Sequence, residues 1–262
     1  MAAAGPGAAP SGAPSSRPQP APLPRGPRPW RQAWADGAAT FYGGGAAPGG
    51  SSPAEHFATA VNDGDAMARL VMIRLAEVDD RLGRPPQLDL VDVGCGGGEL
   101  LVDVHRLLDC PLAAAHRWAT RLRLRGVELR PRPPELPATV DWVVGAAPEA
   151  VPHGVRGLIL AHELLDDVPC DVLECDGDGV LREVLVDDVG HELLGEALAD
   201  GDPRATWLRR WWPLSGPGHR AEVGRTRDEV VVALAGRLDE GALVVVDYAH
   251  TRSERAGEHA AV

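Results

Sequence analysis

Five short apolar runs recur along the chain, each closed by glycine, proline or a charged residue: LDLVDVG (88–94), LRLRGVEL (122–129), VDWVVG (140–145), GLILAHE (157–163) and GALVVVDYA (241–249). Several are apolar at successive rather than alternate positions, the pattern of parallel strands covered on both faces. Ahead of them, Met67, Leu70, Val71, Ile73, Ala76 and Val78 follow helical spacing, which stops at Gly83 before Pro85 and Pro86. Helical stretches fit between the first two strands (GELLVDVHRLL) and before the fifth (RDEVVVALAGRLDE). The alternation predicts an open α/β sheet. Between the fourth and fifth strands, CDVLECDGDGVLREVLVDD sets two strand-like runs around DGDG and predicts an inserted β-hairpin over 171–187.

Composition shifts mark the ends of this pattern. Residues 1–28 are Ala, Pro, Gly and Ser with little to bury, so they read as a disordered tail. Residues 29–83 form an N-terminal cover segment and helix, 84–250 the main domain and 251–262 a C-terminal tail. The aromatics between Trp30 and Ser52 could cover a site or pack on the surface, and surface packing is the simpler expectation. Trp207, Trp211 and Trp212 stand at positions i, i+4 and i+5 and could form a lid or partner-binding surface, but anchoring a helix on the core is the simpler expectation.

All 26 basic residues are arginine, and 38 acidic residues give a formal charge of -12. That charge opposes nonspecific attraction to nucleic acid or anionic lipid. Cys95, Cys110, Cys170 and Cys175 make no paired CxxC, which argues against a structural zinc site or a disulfide framework and for a reducing, cytoplasmic setting. No apolar run reaches the roughly 20 residues of a membrane helix.

The candidate chemistry lies at the carboxyl ends of the strands, where open parallel sheets bind ligands. VDVGCGGGELL joins the first strand to its helix. Gly94 can make the tight turn, Gly96 lets backbone amides approach a ligand, and Gly98 allows the helix to pack close. A dinucleotide GxGxxG started at Gly94 would need glycine where Glu99 stands. The GxGxG of Gly94, Gly96 and Gly98 is instead how enzymes using S-adenosyl-L-methionine (SAM) write this turn; a structural glycine turn is the plain alternative. Glu128, closing the second strand, is placed to accept hydrogen bonds from ribose hydroxyls, although a solvated glutamate would look the same. After the third strand, Gly145 and Ala146 offer only backbone groups to an adenine.

The fourth strand ends in His162, Glu163, Asp166 and Asp167, in LILAHELLDDVPCDVL. Carboxylates there could orient a cationic acceptor by bidentate bonds or simply cap the loop. The order VDVGCGGGELLVDVHRLL, GVELRPR, LILAHELLDDVPCDVL, a hairpin and GALVVVDYA, preceded by HFATA, resembles the MidA-type SAM-dependent methyltransferases, over about residues 40–250. This family includes the mitochondrial complex I assembly methyltransferase and is associated with arginine methylation. The motif that carries the resemblance, N-E-[LF]-[LF]-D-A-[LV]-P, is matched by Glu163, Leu164, Leu165, Asp166, Val168 and Pro169, with His162 in place of its Asn. Asp92 stands, as a mild change, where the family has its acid before the glycine loop, and His56 and Phe57 match a segment preceding the fold.

The resemblance implies a Rossmann-like class I methyltransferase sheet that binds SAM through Asp92, Gly94, Gly96, Gly98 and Glu128. His162, Glu163 and Asp166 would then face a protein acceptor, with arginine as its candidate side chain. Relatives continue past Tyr248, so the sheet is expected to lack its last two strands and to leave an edge open to a partner. A SAM-fold binding or assembly protein without turnover is the alternative, and a nicotinamide-dependent oxidoreductase ranks below both.

Overall fold

A computed structural model describes residues 26–43 and 65–248. The chain enters as β1 (Arg28–Pro29) and α1 (Trp30–Gly43), and resumes in α2 (Ala66–Arg81). Then follow β2 (Leu88–Val93), α3 (Glu99–Arg106), a short α4 (Pro111–Ala115), β3 (Leu122–Glu128), β4 (Val140–Val144) and β5 (Val155–His162). The next elements are β6 (Asp171–Cys175), β7 (Leu181–Val186), β8 (Glu192–Ala197), α5 (Pro203–Trp211) and β9 (Arg220–Val223). The described chain closes with α6 (Arg225–Ala235) and β10 (Leu238–Val246). Of the tails read over 1–28 and 251–262, residues 1–25 and 251–262 lie outside the described residues, as do His56 and Phe57, while Arg28 is ordered by pairing with Val186 of β7.

The five apolar runs pair in one parallel sheet, in the order β10-β5-β2-β3-β4. Its core explains why β2 carries apolar residues on both faces. Leu88 and Leu90 join Leu124, Leu158 and Leu160 against α2 and α3 on one face, while Val91 and Val93 join Val127, Ile159 and Ala161 against Leu234 of α6 on the other. Burying a Leu or Val side chain stabilises the fold by roughly 1.5–3 kcal/mol, and here both faces contribute. Among the described residues the sheet has five strands, and β10 pairs with β5 alone. The fold is thus the Rossmann-like α/β sheet of class I methyltransferases.

Three differences from the sequence reading have physical reasons. The hairpin β6–β7 forms around Asp176, whose carboxylate accepts from the Asp178 and Val180 amides at 2.9 Å. It belongs, however, to a five-stranded antiparallel sheet that extends the insertion well past residue 187, with β9 beside β6 and both β8 and the two-residue β1 beside β7. Helical reading of RDEVVVALAGRLDE runs too far: α6 stops at Ala235 and β10 begins at Leu238. Gly236 and the extended pairing Leu238↔Val155 take over where apolar spacing could not separate helix end from strand start. Finally, α1 does not simply lie on the surface, because Ala35, Ala38, Ala39 and Tyr42 line a cavity.

Trp207 and Trp212 anchor α5 on the core as their spacing predicts, whereas Trp211 does not. Trp207 packs with Leu173, Leu208, Ala221 and Val223, and its indole Nε1 donates to Asp228 of α6 at 2.8 Å. Trp211 is about half exposed, with the Arg210 guanidinium 4.6 Å from its ring. No helix among the described residues is long and apolar enough to cross a membrane.

Candidate active site

Because all five strands run parallel, their carboxyl ends meet at one edge of the sheet. Strand alternation places Asp92 and His162 on the Leu88/Leu90/Leu158/Leu160 face, together with Glu128. A cleft of about 780 Å³ opens there. It is within the usual volume of small-molecule sites. Every site residue read from the sequence except Gly98 lines it: Asp92, Gly94, Gly96, Glu128, His162, Glu163 and Asp166.

The loop after β2 takes the left-handed conformation at each alternate glycine, with φ of 70° at Gly94, 61° at Gly96 and 83° at Gly98. Side chains are disfavoured there, and two positions are also tight. A Cβ on Gly94 would stand 2.9 Å from Leu164 Cδ1, and one on Gly98 2.8 Å from Leu136 Cδ1. Gly98 therefore contributes by letting α3 start against Leu136 and Trp142, behind the cavity wall rather than in it.

Glu128 does more than the sequence suggested. Its Oε2 accepts from the Gly96 amide at 3.0 Å, while Oε1 accepts from the Arg130 amide at 3.4 Å and from Arg130 Nε at 3.3 Å. The carboxylate anchors the glycine loop and Arg130 at the tip of β3. A carboxylate has about four acceptor sites, so one remains for a ligand hydroxyl. Glu99, in the first turn of α3, accepts from the Gly97 amide at 3.0 Å. Asp103, further along α3, pairs with Arg106 at 3.0 Å and does not reach the cleft.

The cleft is strongly acidic. Among the described residues, Asp92, Glu99, Glu128, Glu163, Asp166 and Asp167 face only Arg130 and His162 across it. Asp92 is buried, and burial, with the charges of Glu99 and Glu128, pushes its pKa up to about 7. Burial and the neighbouring Asp247, Asp167 and Glu163 also raise that of Asp166. Such a site favours a cation.

The turn after β5 is held by groups that the sequence did not single out. Glu163 adopts φ 50°, and its amide donates to the Val246 carbonyl at 2.8 Å. The Leu165 amide donates to Asp247 Oδ2 at 2.7 Å, and Arg227 Nε donates to the Leu165 carbonyl at 2.8 Å. Arg227 also lies 5.8 Å from the Trp34 ring of α1. Tyr42, at the other end of α1, donates its hydroxyl to Asp167 Oδ2 at 2.7 Å. On the far side, Gly145, Ala146 and Ala147 close the wall with backbone and methyl groups, as the segment after the third strand predicted.

Comparison with solved structures gives the same fold. A COG1565 superfamily protein from Burkholderia thailandensis, described as uncharacterized, aligns with a TM-score of 0.60 at 21% identity, covering 87% of this chain and 59% of that one. A second structure from Burkholderia thailandensis, a COG1565 superfamily "likely methyl transferase" bound to S-adenosyl-homocysteine, aligns with a TM-score of 0.61 at 20% identity, covering 86% and 59%. The chain thus spans about six-tenths of the length of these two neighbours. No curated protein matches it. The family described as "Putative S-adenosyl-L-methionine-dependent methyltransferase" matches residues 70–261, from α2 through β10 and beyond, and the chain belongs to that family, whose cofactor is SAM.

Proposed function

We propose that this chain is a MidA-type methyltransferase that transfers the methyl group of SAM to a nitrogen of a protein side chain, with arginine the candidate. The observation that carries the reading is the juxtaposition of a glycine turn with a cleft whose charged lining, among the described residues, is six carboxylates against one guanidinium and one imidazole. The cofactor fits what is present: left-handed glycines keep the loop free of side chains along the cleft, Glu128 keeps an acceptor site, and Asp92 stands beside the loop. A neighbour of the same fold bound to S-adenosyl-homocysteine supports SAM as the cofactor.

When bound, SAM supplies an electrophilic methyl group on a sulfonium. The residues of this chain have the complementary tasks. Gly94 and Gly96, their own amides held by the Val127 carbonyl and by Glu128, keep the loop bare of side chains where the amino acid end of the cofactor would lie, and Gly98 seats the helix behind them. Glu128 fixes the loop through Gly96 and accepts from the ribose. Asp92, buried at the tip of β2, is poised to ionise beside a cation. His162, Glu163 and Asp166 face the acceptor, where carboxylates orient a cationic group and take up its proton. His162 stands where the motif has Asn, which makes acceptor choice the least transferable part of the resemblance.

Incubation with SAM labelled in its methyl group, in a lysate and with arginine-rich peptides, tests the reading. Label recovered as methylarginine in the wild type and lost in Asp166→Asn supports it. A folded, SAM-binding protein that labels nothing favours instead a SAM-fold binding protein without turnover.

A further inference from the structure

The two adjacent aspartates after β5 have unequal surroundings. Asp167 is the partner of Tyr42, whose hydroxyl donates to its Oδ2 at 2.7 Å across 125 residues of sequence. Asp166 Oδ1 is buried with no hydrogen-bond partner among the described residues. A buried carboxylate oxygen left unpaired is costly, and such costs concentrate where a ligand supplies the missing donor. Both carboxylates line the cleft.

α1 makes the inequality possible. Ala35, Ala38, Ala39 and Tyr42 fall at helical spacing on one face, and three methyl groups let the helix come close enough for the phenol at its end to reach Asp167. The other end is tied down: Arg28 Nη1 pairs with Asp188 at 3.1 Å, and β1 pairs with β7. Tyr42 is therefore presented by a helix that is fixed at its start.

We propose that Tyr42 is a positioning residue that divides the labour of the two aspartates, occupying Asp167 so that Asp166 Oδ1 receives an N–H of the cationic acceptor. This rests on the methyltransferase reading and sharpens its acceptor site. The groups that face the pair are Tyr42 from α1, Glu128 from β3, His162 and Glu163 beside them, and Asp247 after β10. Burial raises the pKa of Asp167, and the Tyr42 hydrogen bond opposes that rise. Without the phenol the two carboxylates become alike, and either could serve.

The test is a titration with Nα-acetyl-arginine amide, with the citrulline counterpart as its uncharged control, into protein saturated with S-adenosyl-homocysteine and into protein alone. Asp166→Asn should weaken binding of the arginine probe about tenfold or more, as expected for a lost charge-assisted pair. Asp167→Asn should weaken it by less than about threefold, and in a Tyr42→Phe background the gap between the two aspartate variants should close. Thermal unfolding of each variant separates these effects from loss of fold. Equal effects of the two substitutions in the native background, an unchanged gap in Tyr42→Phe, or no binding of the probe would each overturn the proposal. Failure of S-adenosyl-homocysteine to bind the wild type would instead sink the methyltransferase reading, and the titration of protein alone would still measure the asymmetry.

Discussion

Glu128 Oε2 accepts the amide of Gly96 at 3.0 Å, so the tip of β3 holds the middle glycine of the loop that follows β2. One side chain thus shapes the loop and offers an acceptor to the ligand. Glu128→Gln keeps a carbonyl for the Gly96 amide but loses the charge facing Arg130. SAM affinity should fall about tenfold in Glu128→Gln and about a hundredfold in Glu128→Ala, in line with lost hydrogen bonds to a charged group. Equilibrium titration of the two variants checks the order.

Gly98 lies outside the cavity yet should be as sensitive as its lining. With φ at 83° and a Cβ that would meet Leu136 Cδ1 at 2.8 Å, Gly98→Ala has to shift the start of α3. The expected cost is about 1–3 kcal/mol of stability, with weakened SAM binding in the fraction that folds. By contrast, Gly201→Ala has nothing within 4 Å of its Cβ, although φ is 80° there, and should cost about 1 kcal/mol from strain alone without touching affinity. Thermal melts of the two variants compare them directly.

The parallel sheet and the glycine loop were legible in the sequence because both leave dense local signals. Strands such as β5, with GLILA at 157–161, bury both faces and so carry an unbroken apolar run, and the glycines at 94, 96 and 98 answer a backbone demand that other residues meet poorly. The antiparallel sheet was seen only as its hairpin. β8 is exposed at nearly every position and β1 is two residues long, so neither has a burial pattern to betray it. Tyr42, Arg227 and Asp247 were missed for another reason: their partners lie 125, 62 and 82 residues away, and no local pattern encodes such a pairing.

Asp92 gives the fold a pH dependence of predictable sign. Its folded pKa is pushed up to about 7, against an unfolded value near 3.8, so the native state holds its proton more tightly. Its contribution is therefore fully present below about pH 4 and is lost as pH rises toward 7. Asp92→Asn should raise stability above pH 7, by up to about 4 kcal/mol, and flatten the dependence between pH 4 and 7. Denaturant unfolding across this range measures both effects.

The same group should make cofactor binding pH-linked. A bound sulfonium and ammonium favour the ionised carboxylate, so SAM binding near pH 6.5 should release protons and tighten as pH rises, by at most about tenfold per unit. Calorimetry in two buffers of different ionisation enthalpy reads the release, which Asp92→Asn should abolish.

Asp79 marks a site at the opposite end of the sheet whose role is stability. It is fully buried, and its Oδ2 accepts from His116 Nδ1 at 2.8 Å, from Trp118 Nε1 at 3.1 Å and from Arg121. Burial alone would raise its pKa, but these hydrogen bonds outweigh it and hold the carboxyl below the usual range. Asp79→Ala leaves Arg121 without its charge partner and should cost about 3–5 kcal/mol. Folded protein of that variant should bind SAM as the wild type does.

The most direct measurement is a calorimetric titration of purified protein with SAM, run beside NAD and beside Glu128→Ala. Saturable binding of SAM, none of NAD, and loss of SAM binding in a Glu128→Ala protein that still melts cooperatively is the predicted result. Binding of NAD in place of SAM, or SAM affinity unchanged by Glu128→Ala, would contradict the assignment of this cleft.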